Sequence, residues 1–231
     1  MTDSLKFSDV TSFSSLRAFA PWEIGFELVL EKLNDLGINL THGYAAKDLP
    51  SADLYIIGNA LSRGNESVEY ILEKKLNFTS GPAMLGNVLK DKNVLAVSGT
   101  HGKTSTAYMV CHILLTQGKD IGFLVGGISD SIKGSAQLGS HELFVIEADE
   151  YDSAFFDKRS KFIHYSPNTL VINNIEFDHA DIFNNLDDIK KQFHHLLKII
   201  PQDGNIIYFQ AVSYTHLRAH ETRGNLVCRL L

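Results

Sequence analysis

The chain has 231 residues, 44% of them hydrophobic and 21% charged, a composition that supports one large or two small globular domains. A net charge of −6 argues against a nucleic-acid-binding footprint, and no apolar run approaches the ~18 residues of a membrane span. Two cysteines, Cys111 and Cys228, give no disulfide framework, and Met1-Thr2-Asp3-Ser4 carries no leader pattern, so a cytoplasmic protein without a membrane partner is expected.

Residues 1–20 have no clean period. From Phe26 the pattern sharpens: Phe26, Val29, Leu30 and Leu33 share one helical face, and Gly37 stops the helix. Leu54–Ile57 reads as a strand, Val68–Lys75 as a helix, and Ser80-Gly81-Pro82 as a turn before a last helix to Leu89. This segment alternates strands and helices and defines a first domain over 1–90.

A second domain is predicted over 91–210. Its first strand, Val94–Val97, runs into Ser98-Gly99-Thr100-His101-Gly102-Lys103-Thr104-Ser105, after which a helix begins with Ala107, Val110, Cys111 and Leu114 on one face. The Gly-x-x-Gly-Lys-Thr spacing is two residues shorter than the full phosphate loop, but the physics is shared. Glycines let backbone amides turn onto a phosphate, and the new helix offers its positive end. Gly99, Thr100, His101, Gly102, Lys103, Thr104 and Ser105 are therefore the candidate nucleotide-binding residues. Lys103 would reach the outer phosphates and the Thr104 hydroxyl would ligate Mg²⁺.

Further strands are expected at Ile121–Val125, Leu143–Ile146, Thr169–Ile172 and Asn205–Phe209, with a helix carrying Leu186, Ile189, Phe193, Leu196 and Ile200 inward. Strands alternating with helices imply an α/β fold with a mostly parallel sheet, and ligands in such sheets sit at the carboxyl ends of the strands. The loop, the cluster Glu147, Asp149, Glu150 and Asp152, and the pair Asp178-His179 all follow strand ends and can share one site. Four carboxylates in six residues would repel unless a cation sits among them, with Mg²⁺ the oxygen-seeking choice. His179 is a further candidate ligand, and His194-His195 read as surface or packing residues.

Gly99–Ser105, Glu147-Ala148-Asp149-Glu150 and Asn174-Ile175-Glu176-x-Asp178-His179 together resemble the Mur ligase family, ATP-dependent enzymes that join amino acids or peptides to UDP-N-acetylmuramate. Phe155–Phe162, Glu176–Phe183 and Ile56–Asn65 look like its murein-recycling branch, which adds the tripeptide L-alanyl-γ-D-glutamyl-meso-diaminopimelate; the alanine-adding branch is the nearer rival. A nucleotide-binding module without ligase activity is the rival from another class, and a kinase or GTPase lacks its Asn-Lys-x-Asp signature.

The resemblance implies an acyl-phosphate route with ATP and Mg²⁺, in which Lys103, Glu147 and His179 are catalytic. Thr104 and Glu147 would hold one Mg²⁺, His179 and Glu147 a second, and Glu150 would support either. It also implies a fragment, inactive alone: a truncated Rossmann-like UDP-sugar-binding domain lacking its Gly-rich opening, a central ATP-binding domain, and no C-terminal domain. Near Phe193 no lysine stands where some members carry a carbamylated one. Residues 211–231 resemble a spurious translation of sequencing-adapter DNA and are set apart from the fold.

Overall fold

The computed structural model describes residues 17–20, 37–127, 132, 134–178 and 183–208. The predicted helix from Phe26, the pair member His179 and the segment 211–231 lie outside the described residues. Backbone packing divides the chain into two units, 1–80 and 81–231.

In the first unit, β1 (Arg17–Ala20) pairs in parallel with β2 (Asn39–His42), and β3 (Tyr55–Ile57) with β4 (Phe78–Ser80). Between β3 and β4 runs α1 (Glu66–Glu73), whose first turn is capped by the Asn65 side chain accepting from Val68 N. The turn predicted at Ser80-Gly81-Pro82 is not formed: Phe78–Ser80 is a strand, and α2 (Gly81–Val88) starts directly from it. Pro82 is tolerated there because a first-turn residue has no amide bond to lose.

Although predicted within 1–90, α2 packs in the second unit. Leu85 and Leu89 join its core, and Gly86 presses on the carbonyl of His164 so closely that a Cβ would overlap it. The rest of the unit is β5 (Asn93–Ser98), α3 (Lys103–Thr116), β6 (Gly122–Leu124), β7 (Ala136–Gln137), β8 (Leu143–Glu147), β9 (Asp152–Ala154), β10 (Asp157–Ser160), a 3-10 turn at Lys161–Tyr165, β11 (Thr169–Ile172), α4 (Leu186–Ile199) and β12 (Asn205–Tyr208). The sheet has the order β12-β11-β5-β8-β6-β7 and is parallel except for β7.

Both faces of the sheet are covered, which explains the unbroken apolar run of β5. Alternate residues go to opposite layers. Val97 and Val145 pack with Phe123, Ala107 and Cys111 beneath α3, while Val94, Ala96, Ile146 and Leu170 pack with Ile189, Phe193 and Leu196 beneath α4. The Cys111 thiol is buried, and burial pushes its pKa up to about 11.

The register carries the core into the site. Val97 lies opposite both Val171 and Glu147, and the ladder continues past the strands through Ala148 N to Val97 O at 2.9 Å and Asn173 N to Ser98 O at 3.0 Å. The chain therefore leaves β5, β8 and β11 at one edge.

Phe193 is fully buried with its ring 5.6 Å from that of Phe162. Phe193→Ala is expected to destabilise the second unit by about 3–5 kcal/mol, read from denaturant unfolding. A loss below about 1 kcal/mol would show that this face of the core is not packed as described.

Candidate nucleotide site

Gly99, at φ +124°, turns the chain off β5. A Cβ there would lie 2.9 Å from Asn174 O and 3.0 Å from Asn174 N, so only glycine fits against the segment that follows β11. That segment clamps the loop. Thr100 N donates to Asn174 O at 3.1 Å, and His101 N donates to the Asn174 side-chain oxygen at 2.8 Å. The Thr100 hydroxyl accepts from Glu176 N at 2.9 Å and donates to Glu176 O at 3.1 Å. Asn173 Nδ2 donates to Thr106 Oγ1 at 3.0 Å.

Gly102, at φ +76°, is the N-cap of α3, and the first intrahelical bond runs from Thr106 N to Gly102 O at 3.0 Å. Helix geometry leaves the amides of Lys103, Thr104 and Ser105 without intrahelical acceptors, so they face an incoming anion. His101 is exposed, its Nδ1 3.9 Å from Asp178 Oδ2.

Glu147, at the end of β8, reaches two of these elements. Its Oε1 accepts from Thr104 Oγ1 at 2.8 Å and its Oε2 from Gly126 N at 2.7 Å. Gly126, just past β6, admits this contact because a Cβ would stand 2.9 Å from Glu147 Oε2. Nearby, the Tyr108 hydroxyl donates to Gly127 O at 2.8 Å; burial, then the Glu147 charge, raises its pKa.

The acidic cluster does not converge. Asp149 pairs with Lys161 at 3.1 Å, Glu150 with Lys103 at 3.3 Å and Asp152 with Lys158 at 2.8 Å. The expected mutual repulsion is relieved by a separate partner for each acid, and among the described residues no three His, Cys, Asp or Glu side chains form a metal-binding group. Lys103 opens α3, while Lys158 and Lys161 come from β10 and its flank, in the hairpin β9–β10 that periodicity missed because its Phe155-Phe156 connection lacks turn chemistry.

Lys103, expected to point at phosphates, folds back. Its ammonium donates to Gly99 O at 2.7 Å, Thr100 O at 3.3 Å and Glu150 Oε2 at 3.3 Å. Asn173, Asn174 and Gly126 were not expected as site residues; Asn-Asn and Gly-Gly directly after predicted strands were the available signal.

Such a loop, joining a parallel strand to a helix and facing a strand-end carboxylate, defines a phosphate-loop α/β protein. Residues 97–227 match the family model described as Mur ligase middle domain, and the chain belongs to the Mur ligase family. It is 57% identical over 178 residues to the UDP-N-acetylmuramate–L-alanyl-γ-D-glutamyl-meso-2,6-diaminoheptandioate ligase of Escherichia coli, covering 76% of this chain and 39% of that protein. A UDP-N-acetylmuramate–L-alanine ligase of Clostridium botulinum is 36% identical over 182 residues, 78% of this chain and 38% of that one. The crystal structure of the corresponding tripeptide ligase of Neisseria meningitidis superposes with a TM-score of 0.81 at 43% identity, covering 88% of this chain and 65% of that one. The chain thus spans about two fifths of the length of the curated relatives it matches.

On β10, Arg159 clasps the Asp157 carboxylate at 2.6 Å, with His164 3.1 Å away on the same oxygen. The hydrogen bond from Arg159 leads in holding the Asp157 pKa at about 2, below an unfolded value of about 3.9. Its stabilisation is present above about pH 4 and is lost as pH falls towards 2. Asp157→Asn is expected to lower stability at pH 7 and to converge with the parent near pH 2, read from chemical unfolding across that range. A parallel offset at every pH would contradict this.

Proposed function

We propose that this chain is the nucleotide-handling part of an ATP-dependent ligase that joins L-alanyl-γ-D-glutamyl-meso-2,6-diaminopimelate to UDP-N-acetylmuramate in peptidoglycan recycling. The observation that carries the reading is the clamped loop with Thr104 Oγ1 bonded to Glu147 across two strand ends. The 57% identity to the E. coli tripeptide ligase, against 36% to the alanine ligase, favours the tripeptide as amine substrate. In this reading the first unit, 1–80, belongs to the UDP-sugar-binding part, the second unit from Gly81 to 210, α2 included, to the ATP-binding part, and the enzyme works in the cytoplasm.

The donor set suits Mg²⁺. A hydroxyl and a carboxylate oxygen 2.8 Å apart are hard ligands, and Mg²⁺ is commonly held by one or two carboxylates with the remaining positions left to water and phosphate. Thr104 and Glu147 would hold it, and His179 would join Glu147 at a second ion. Bound there, the metal supplies charge neutralisation for phosphoryl transfer.

The chain's own residues do the positioning. The amides of Lys103–Ser105 receive phosphate oxygens at the head of α3, and Lys103 neutralises charge on the group transferred to the lactyl carboxylate of the sugar nucleotide. The tripeptide amine then attacks the acyl phosphate, forming the C–N bond as phosphate leaves.

The test replaces the matching 178-residue stretch of the E. coli ligase by that of this chain. Phosphate release from ATP should depend on UDP-N-acetylmuramate and tripeptide, and Lys103→Ala in the chimera should reduce it by about 10²-fold or more with the fold intact. A preference for L-alanine would move the chain to the alanine-adding branch. Undiminished turnover of the Lys103→Ala chimera would remove the loop from the mechanism.

A further inference from the structure

Lys103 and Glu150 stand apart from the rest of the site by their burial. The Lys103 side chain is 12% exposed and the Glu150 side chain 0%, and they meet at 3.3 Å. An ammonium has three protons to donate. Here it has three acceptors, namely Gly99 O, Thr100 O and Glu150 Oε2, all supplied by the chain itself. The two carbonyls belong to the loop, so they travel with the lysine. Glu150 comes from a different strand end, three residues beyond the Glu147 that bonds Thr104. It is the acceptor that ties Lys103 to the body of the sheet.

We propose that Glu150 is a positioning residue that acts through Lys103, holding the lysine retracted until nucleotide phosphate displaces it. This deepens the nucleotide-binding reading above and rests on it. It gives Glu150 a role distinct from the metal support that the sequence resemblance implies. The two acids of the cluster then do different work: Glu147 faces the hydroxyl of the loop, and Glu150 holds its cation.

Two consequences follow from electrostatics. A phosphate group competes with Glu150 for the same ammonium, so part of the attraction of Lys103 for nucleotide is spent in breaking the internal pair. A buried carboxylate beside the phosphate site also opposes the anion directly, because buried charges are poorly screened. Glu150→Gln keeps the size of the side chain and removes both effects.

The test measures ATP binding to the full 231-residue chain by calorimetry, without turnover. Glu150→Gln is expected to bind ATP about tenfold more tightly than the parent, the worth of one charge-assisted hydrogen bond that no longer competes. In a Lys103→Met background the same substitution should tighten binding by markedly less than about tenfold, because the competition for the ammonium is gone and only the direct repulsion is left. A role confined to supporting the fold would not give this coupling.

Equal or weaker binding by Glu150→Gln, in a chain whose parent binds ATP, would overturn the inference alone. Absence of ATP binding by the parent would overturn both the nucleotide-binding reading and the inference. Should Glu150→Gln fail to fold, crystal structures of the parent with and without ATP decide. Separation of Lys103 Nζ from Glu150 Oε2 beyond hydrogen-bond distance on binding is expected, and retention of the 3.3 Å pair with ATP bound would overturn the proposal.

Discussion

The site depends on the flat approach of Gly99 to the backbone of Asn173 and Asn174. β5 and β11 are hydrogen-bonded neighbours whose ladder runs to its last residue, Ser98 opposite Ile172. Just past it, a Cβ at position 99 would press on the neighbouring backbone, 2.9 Å from Asn174 O and 3.1 Å from Asn173 N. A glycine at φ +124° lets the loop turn over the neighbouring chain, and Thr100 N and His101 N then find acceptors on Asn174. With those amides committed sideways, the amides at the head of α3 are the ones left facing outward. The close approach thus sets which part of the loop can meet an anion.

Parallel register does the rest. Strands hydrogen-bonded in the same direction end at the same edge, and here β5, β8 and β11 release Gly99, Ala148 and Asn173 side by side. Glu147 needs no long side-chain reach to touch both Thr104 and Gly126. Asp149 and Asp152 are drawn to Lys161 and Lys158 and Glu150 to Lys103, leaving Glu147 as the carboxylate bonded to the Thr104 hydroxyl. A local excess of negative charge in the sequence becomes, in space, a set of separate contacts.

The α/β architecture was legible because its signals are periodic. The apolar run at Val94–Val97 and the inward series Leu186, Ile189, Phe193, Leu196 and Ile200 depend only on near neighbours, and the core clusters contain them. The loop was legible because its glycines are dictated by backbone geometry. The Asn174 clamp and the partners of the acid cluster were not, since they join residues far apart in the chain: 73 positions separate His101 from Asn174 and 47 separate Lys103 from Glu150. The β9–β10 hairpin escaped because two phenylalanines occupy a connection where Gly, Asn or Asp would announce a turn. Across it Lys158 pairs with Asp152, and the Ser153 hydroxyl donates to Arg159 O at 2.8 Å.

The central claim is that nucleotide phosphate binds at the head of α3. Backbone amide shifts of the isotope-labelled chain, followed as ATP and Mg²⁺ are added, test it most directly. The largest saturable shifts should fall on Gly102, Lys103, Thr104 and Ser105, with smaller ones at Glu147 and Gly126. Saturable shifts centred elsewhere on the chain, with these amides unmoved, would contradict the account.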